Sequence, residues 1–360
     1  MKKAGLYIHF PFCRRSCYYC HFFKTRHRPE RVGDYLAHLE REMSLRRDPG
    51  LDMNTIYIGG GSPSLLEPGR VSRLLESAAQ NFRVDMKSEI TLEANPDDLT
   101  PERLRGFRRA GVNRLSVGAQ SFQERDLRFL KRTHDAAQAA RAVAMSGEAG
   151  FANVGVDLII GLPTQTKKSM EANFKIVGAL KPSHVSVYIL EGVPEKAFPA
   201  GGVPCPENGD RDARLYHQAR QALLDLGFVH YEVSNFSRPG KASRHNLKYW
   251  RMAPYVGLGP AAAGFLDGKD YRNVSDLDKY GAALRGGRLP LAGTRPLDAA
   301  RRRIITGLRL LAGIPAAAFS AFPAPTGFLL AEGLLVRRGR NIAVPPDKIL
   351  LLNEVLGYFI

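Results

Sequence analysis

Phe12-Cys13-Arg14-Arg15-Ser16-Cys17-Tyr18-Tyr19-Cys20 sets three of the chain's four cysteines within eight residues. The spacing is Cys-x3-Cys-x2-Cys, three soft ligands with no cysteine nearby to make a fourth. A structural zinc site takes four ligands, usually from two Cys-x2-Cys or Cys/His pairs, so this run would need His21 or His27 to complete one. A cubane [4Fe–4S] cluster held by three thiolates instead leaves one iron without a protein ligand. A small molecule carrying an amine and a carboxylate can chelate that iron.

The cysteine spacing resembles the radical S-adenosylmethionine (SAM) superfamily. That resemblance implies a [4Fe–4S] cluster on Cys13, Cys17 and Cys20, with SAM bound at the open iron and cleaved reductively there. The fourth cysteine, Cys205, stands alone between Pro204 and Pro206. Clustered thiols plus an orphan suit a reducing cytosol better than an oxidising compartment. The N-terminal residues Met1 to Phe10 lack the apolar stretch of a signal peptide.

No charged residue occurs from Leu310 to Ala331, a length that could span a bilayer. Pro315, Pro323 and Pro325, with Gly313 and Gly327, break that stretch as a helix. It is expected to fold as part of a small C-terminal domain. The formal net charge is +17, which favours anionic partners without choosing among nucleic acid, lipid and small acidic ligands. An RNA-modifying enzyme would satisfy the charge, yet the chain shows neither a recognisable RNA-binding module nor a basic patch interleaved with aromatics.

Short β-branched or aromatic runs alternate with amphipathic stretches through the first two thirds. Strands are predicted at 6–10, 55–58, 89–93, 114–117, 154–160 and 184–190, and helices at 32–45, 71–81, 101–110, 136–146, 168–180 and 211–226. Thr100-Pro101-Glu102 is a helix start, and Gly111 and Gly227 stand where helices stop. Six strand–helix repeats predict an α/β fold, a partial (β/α)6 barrel of the TIM type. The polar and glycine-rich residues follow the strands: the cysteine run, Gly59-Gly60-Gly61-Ser62-Pro63-Ser64, Glu93-Ala94-Asn95-Pro96, Gly118-Ala119-Gln120, and Asp157 before Gly161-Leu162-Pro163. In such a barrel these positions share the C-terminal rim, where ligands bind.

Chemistry suggests a role for each. The glycine run exposes backbone groups to the methionyl ammonium. Glu93 and Asp157 offer carboxylates to the ammonium or ribose, Gln120 a hydrogen bond to the ribose, and Arg132 a fork for the SAM carboxylate. Tyr19 offers an aromatic face to the adenine. Each residue alone also admits a purely structural reading. His9 and His184 read equally well as core histidines.

Leu6-Tyr7-Ile8-His9-Phe10-Pro11-Phe12-Cys13, the glycine run, the Gln120 and Asp157 segments and Tyr231-Glu232-Val233-Ser234-Asn235-Phe236 resemble the oxygen-independent coproporphyrinogen III oxidase family over almost the whole chain. The resemblance implies that Tyr7, Tyr19, Gly60, Gly61, Ser62, Glu93, Gln120, Arg132 and Asp157 contact SAM or cluster. Ser62 replaces the family's usual threonine and keeps the hydroxyl.

That family contains a decarboxylating oxidase and a heme chaperone branch. Phe22 stands where the oxidases carry a further cysteine, and twelve residues precede Cys13 where the oxidases have a longer arm. His245-Asn246-Leu247-Lys248-Tyr249-Trp250 is similar to the chaperones' His-Asn-x-x-Tyr-Trp motif. The resemblance therefore implies heme as a ligand, with His245 on its iron, and delivery to respiratory proteins of the membrane, whose inner face the protein would then meet. Against the pattern, His21 replaces an aspartate and Ala263 a histidine. The expected organisation is a radical SAM core over 1–235, a connecting segment over 236–290 and an α+β domain over 291–360.

Overall fold

The computed structural model describes residues 2–190, 209–296 and 298–360. Cys205 lies outside them. Six parallel strands follow one another across a single sheet: β1 (Lys2–Phe10), β2 (Asp48–Gly60), β3 (Phe82–Ala94), β4 (Arg114–Gln120), β5 (Val154–Ile160) and β6 (His184–Ile189). The helices α1 (Pro29–Leu45), α2 (Pro68–Asn81), α3 (Pro101–Arg109), the short α4 (Glu124–Phe129), α5 (Ala136–Glu148), α6 (Lys167–Leu180) and α7 (Gly209–Asp225) follow them in turn. This is the expected partial (β/α)6 barrel.

Local chemistry explains most boundaries. Proline opens α1, α2 and α3 at the first turn, where its missing N–H costs nothing. The Thr100 side chain accepts from the Arg103 amide, while Asp135/Gln138 and Thr166/Ser169 form capping boxes on α5 and α6. Gly111 and Gly227 take the positive φ that ends the preceding helix.

The sheet continues past the barrel on both sides. Beyond β6 lie β7 (Val229–Glu232) and β8 (Asn235–Ser237), with β8 antiparallel to β6. After α8 (Arg244–Trp250) the chain returns as β9 (Tyr255–Leu258), parallel to β1, then adds β10 (Ala263–Leu266), β11 (Lys269–Asn273) and, after α9 (Leu277–Arg285), β12 (Leu291–Pro296). The strand order is β12-β11-β10-β9-β1-β2-β3-β4-β5-β6-β8-β7. Glu42 of α1, fully buried, locks this return in place. Its carboxylate accepts from the Gly259 amide at 2.9 Å, Asn273 Nδ2 at 2.8 Å, the Tyr280 hydroxyl at 2.7 Å and Arg46 Nε at 2.9 Å. Such full satisfaction is what makes a buried carboxylate tolerable.

The last residues form α10 (Ala299–Gly307), β13 (Ile314–Pro315), α11 (Pro323–Ala331), β14 (Val336–Arg338), β15 (Asn341–Ala343) and α12 (Leu352–Gly357), with β13, β15 and β14 in a second sheet. The uncharged stretch from Leu310 is thus broken into a strand, a 3-10 turn and a nine-residue helix. No helix among the described residues is long and apolar enough to cross a membrane.

Candidate functional site

The C-terminal ends of β1 to β6 surround a cavity of about 600 Å3. Cys13, Cys17 and Cys20 line it from the loop after β1, and Gly60, Gly61 and Ser62 from the loop after β2. Glu93 and Asn95, Ser116, Gly118 and Gln120, Asp157, Ile159 and Tyr188 complete the wall from the next four strands. Sequence separation exceeds one hundred residues; the barrel topology closes it.

Two loops hold each other. The Gly61 amide donates to Phe10 O at 2.7 Å and the Ser62 amide to Phe12 O at 2.9 Å. A Cβ at Gly61 would sit 2.7 Å from Phe12 O, so only glycine permits this approach. His9 closes the other end of the cysteine loop: its Nε2–H donates to Phe23 O at 2.8 Å while Nδ1 accepts from the Tyr7 hydroxyl at 2.9 Å. His184, 1% exposed, pairs Nε2 with the Tyr231 hydroxyl at 2.8 Å, so both histidines serve the scaffold.

Arg132 is the junction of the cavity's polar side. Its guanidinium donates to Asn95 Oδ1 at 2.6 Å, Gly118 O at 3.3 Å, the Tyr19 hydroxyl at 3.4 Å and Cys17 Sγ at 3.6 Å. Asn95 in turn donates to Ser62 Oγ at 2.9 Å. Gln120 holds a left-handed backbone at φ 65°, which aims the strand end into the cavity. Glu93 accepts from the Tyr57 hydroxyl at 2.8 Å and from the Gly60 amide at 2.9 Å. Enclosure raises its carboxyl to about 7 against the pull of those two donors. Burial likewise raises Asp157, although Ser186 and Ser116 hydrogen-bond it.

All three thiols line the one cavity, with Cys17 and Cys20 near enough to act on Cys13, the donor set a cubane corner would need. Burial pushes Cys13 up to about 11, with Ser62 opposing, so a metal must displace its proton. Among the described residues no three His, Cys, Asp or Glu side chains converge as one metal ion requires. A four-iron cluster takes each thiolate on a different iron.

Two expected site residues lie elsewhere. Tyr7 does not line the cavity; its ring stacks on Tyr57 at 6.1 Å, one layer behind Glu93. His245 is fully buried in α8, with Nδ1 paired to Thr55 Oγ1 at 2.8 Å and Nε2 to the Tyr249 hydroxyl at 2.8 Å. Neither ring nitrogen is presented to a ligand, so the sequence expectation of His245 as an iron ligand is not carried by this geometry. Ala263 is exposed on β10 and also outside the cavity lining. Asn95, Ser116 and Tyr188 were missed by sequence reasoning. The available signal was phase: Asn95 and Ser116 stand two residues from Glu93 and Gly118, and Tyr188 is the strand partner of Ile159, two residues past Asp157.

Together, a partial (β/α)6 barrel and a rim loop presenting three cysteines to a glycine-lined cavity define a radical SAM protein. Residues 7–176 match the Radical SAM superfamily, whose name implies both SAM and the cluster. The chain is 32% identical to the heme chaperone HemW of Bacillus subtilis (strain 168), over 100% of this chain and 99% of that one. It is 34% identical to the heme chaperone HemW of Escherichia coli (strain K12), over 100% and 99%. The chain belongs to the heme chaperone HemW family. Its fold is similar to that of coproporphyrinogen III oxidase (HemN) from Escherichia coli, with a TM-score of 0.86 and 24% identity over 99% of this chain and 90% of that one.

Proposed function

We propose that the chain binds heme against its SAM-loaded cavity and passes it to respiratory proteins at the membrane. The supporting observation is the cavity's mixed lining. Ser62, Glu93, Gln120, Arg132 and Asp157 supply polar groups, which suit the amino acid and ribose parts of SAM. Phe22, Ile159, Tyr188, Ile189 and Leu190 supply apolar surface, with Phe22 67% exposed and Tyr188 44% exposed. Arg14, Arg15, Lys24 and Lys131 also line the cavity. A flat apolar ring bearing carboxylates matches that combination. Among the described lining residues the one imidazole is that of His21, which makes it the candidate iron ligand.

When bound, the cluster supplies the electron that cleaves SAM. The chain's own residues bind and orient. Arg132 would take the SAM carboxylate, Glu93 would accept the ammonium, and Asp157 and Gln120 would take the ribose hydroxyls. The excess of basic residues favours docking on an anionic membrane face.

The test is anaerobic reconstitution with iron and sulfide, followed by parallel assays of heme binding and coproporphyrinogen III consumption. Heme binding that shifts its absorption in His21→Ala, without porphyrinogen turnover, is the expected result. Efficient decarboxylation of coproporphyrinogen with SAM and a low-potential reductant would assign the chain to the oxidase branch instead.

A further inference from the structure

The His-Asn-x-x-Tyr-Trp segment forms α8, which lies against the inward face of the barrel strands, away from the cavity lining. Alternate residues of a strand share a face, and β1, β2 and β3 are in register as Gly5–Thr55–Glu89 and Tyr7–Tyr57–Thr91. Glu89 holds the start of α8 from this face, accepting the Arg244 amide at 3.1 Å and the His245 amide at 3.0 Å. Gly5 makes the room: a Cβ there would meet Lys248 Cδ at 2.8 Å, Thr55 Oγ1 at 3.0 Å and His245 Cε1 at 3.1 Å.

From His245 the contacts run one way. Its ring packs on the Tyr57 ring at 5.2 Å with 31° between planes, and Tyr7 flanks both at 6.1 Å and 6.5 Å. The Tyr57 hydroxyl then donates to Glu93 Oε1, and Glu93 opens on the cavity. Gly59 clears this passage, since a Cβ there would lie 2.8 Å from Tyr57 Cε1 and 3.0 Å from Glu93. Two glycines thus keep open a line of packed side chains from α8 to the cavity wall.

We propose that His245 is a positioning residue for the SAM site, its ring fixing Tyr57 so that the Tyr57 hydroxyl aims the Glu93 carboxylate at the SAM ammonium. This rests on the SAM reading of the cavity. Ring packing carries the positioning, whereas the bonds to Thr55 and Tyr249 hold α8 in place. Those two functions separate by substitution. His245→Ala empties the space behind Tyr57; His245→Phe keeps a ring there and loses both hydrogen bonds.

The experiment measures SAM affinity by equilibrium dialysis on full-length, cluster-reconstituted protein, with melting temperature and heme absorption alongside. Both variants should melt lower than the parent, because two buried hydroxyls lose a partner. SAM affinity should fall about tenfold in His245→Ala, the size expected when a hydrogen bond to a charged group is misdirected, and stay within about twofold in His245→Phe. In a Tyr57→Phe background, His245→Ala should have no further effect on SAM affinity, since the hydroxyl it positions is gone. Equal loss in both variants, an undiminished loss in the Tyr57→Phe background, or unchanged affinity in His245→Ala overturns the inference. So does loss of heme absorption in His245→Ala with SAM binding intact, which would make the residue an iron ligand. Parent protein that binds no SAM refutes the cavity assignment itself and the inference with it.

Discussion

Replacing Glu93 with glutamine removes the carboxylate facing the cavity while leaving a planar group for Tyr57 and the Gly60 amide. The carboxyl sits at about 7 because enclosure outweighs the two hydrogen bonds it accepts, and Asp157 adds a like charge. Tyr7, Tyr57, Tyr188 and Tyr249 also face it, and all stay protonated in the neutral range. An ammonium binds the ionised form. With a midpoint of about 7, the ionised fraction rises from about 0.09 at pH 6 to about 0.76 at pH 7.5. SAM affinity should therefore increase roughly five- to sixfold over that interval, because an α-amino group of pKa about 7.7–8.0 gives up part of its own charge by pH 7.5.

The ligand-free protein should respond with the opposite sign. Folding raises the Glu93 carboxyl from 4.5 to about 7, so the folded state holds the proton more tightly. Nothing is lost below pH 4.5; the penalty grows as pH rises and is complete above about 7. It amounts to at most about 3 kcal/mol, reduced because the carboxyl opens onto the cavity. Glu93→Gln should melt higher than the parent at pH 8 and bind SAM weakly without pH dependence between 6 and 7.5. Asp157→Asn is the control, since Asp157 is also raised by burial. A flat parent profile, or the same slope in Glu93→Gln, refutes the assignment of Glu93 to the ammonium.

Cys13→Ser, Cys17→Ser and Cys20→Ser should each lose the visible absorption of the reconstituted cluster, whereas Cys205→Ser should retain it; the reverse pattern would refute the ligand set. Arg132→Ala should weaken SAM binding by roughly 10- to 100-fold, as for a lost charge-assisted bond, with iron content measured in parallel to show that the cluster still loads. Glu89→Ala frees two amides at the start of α8 and should destabilise the fold by about 1–2 kcal/mol in urea, and unchanged stability would show that the cap contributes nothing.

All six parallel strands and six of the seven helices between and after them were legible because their signals are local: alternation, caps and stop glycines; the six-residue α4 was not. The first four strands run longer than expected, as at Asp48–Gly60, where register shifts let irregular ends stay paired. The shared rim was legible from phase alone, since each polar group follows a strand end. Long-range pairing was not. Nothing within Tyr255–Leu258 announces that it will lie parallel to β1, more than two hundred residues away. The place of His245 was hidden for the same reason, because its neighbours come from the first three strands. An imidazole beside two aromatics has the composition of a heme site; in the fold its two nitrogens meet the hydroxyls of Thr55 and Tyr249.

The barrel interior explains why α8 and the cavity belong to one design. Such interiors are usually filled by branched apolar side chains. Here Thr55, Glu89, Thr91, Arg114, His184 and Ser186 are buried, with Tyr57, Glu93 and Asp157 above them. An interior this polar is stable only if its groups find partners. Some come from within the barrel, as Ser116 donates to Asp157 and Tyr57 to Glu93. The lower layer takes its partners from outside it: Thr55 from His245, Glu89 from the first amides of α8, and His184 from Tyr231. Tyr231 also accepts from the Ser243 amide at 3.3 Å, immediately before α8. The two sequence motifs left over after the cysteine and glycine loops, around Tyr231 and His245, therefore meet at one place. They supply partners to Thr55, Glu89 and His184 Nε2 in the interior layer beneath Glu93 and Asp157.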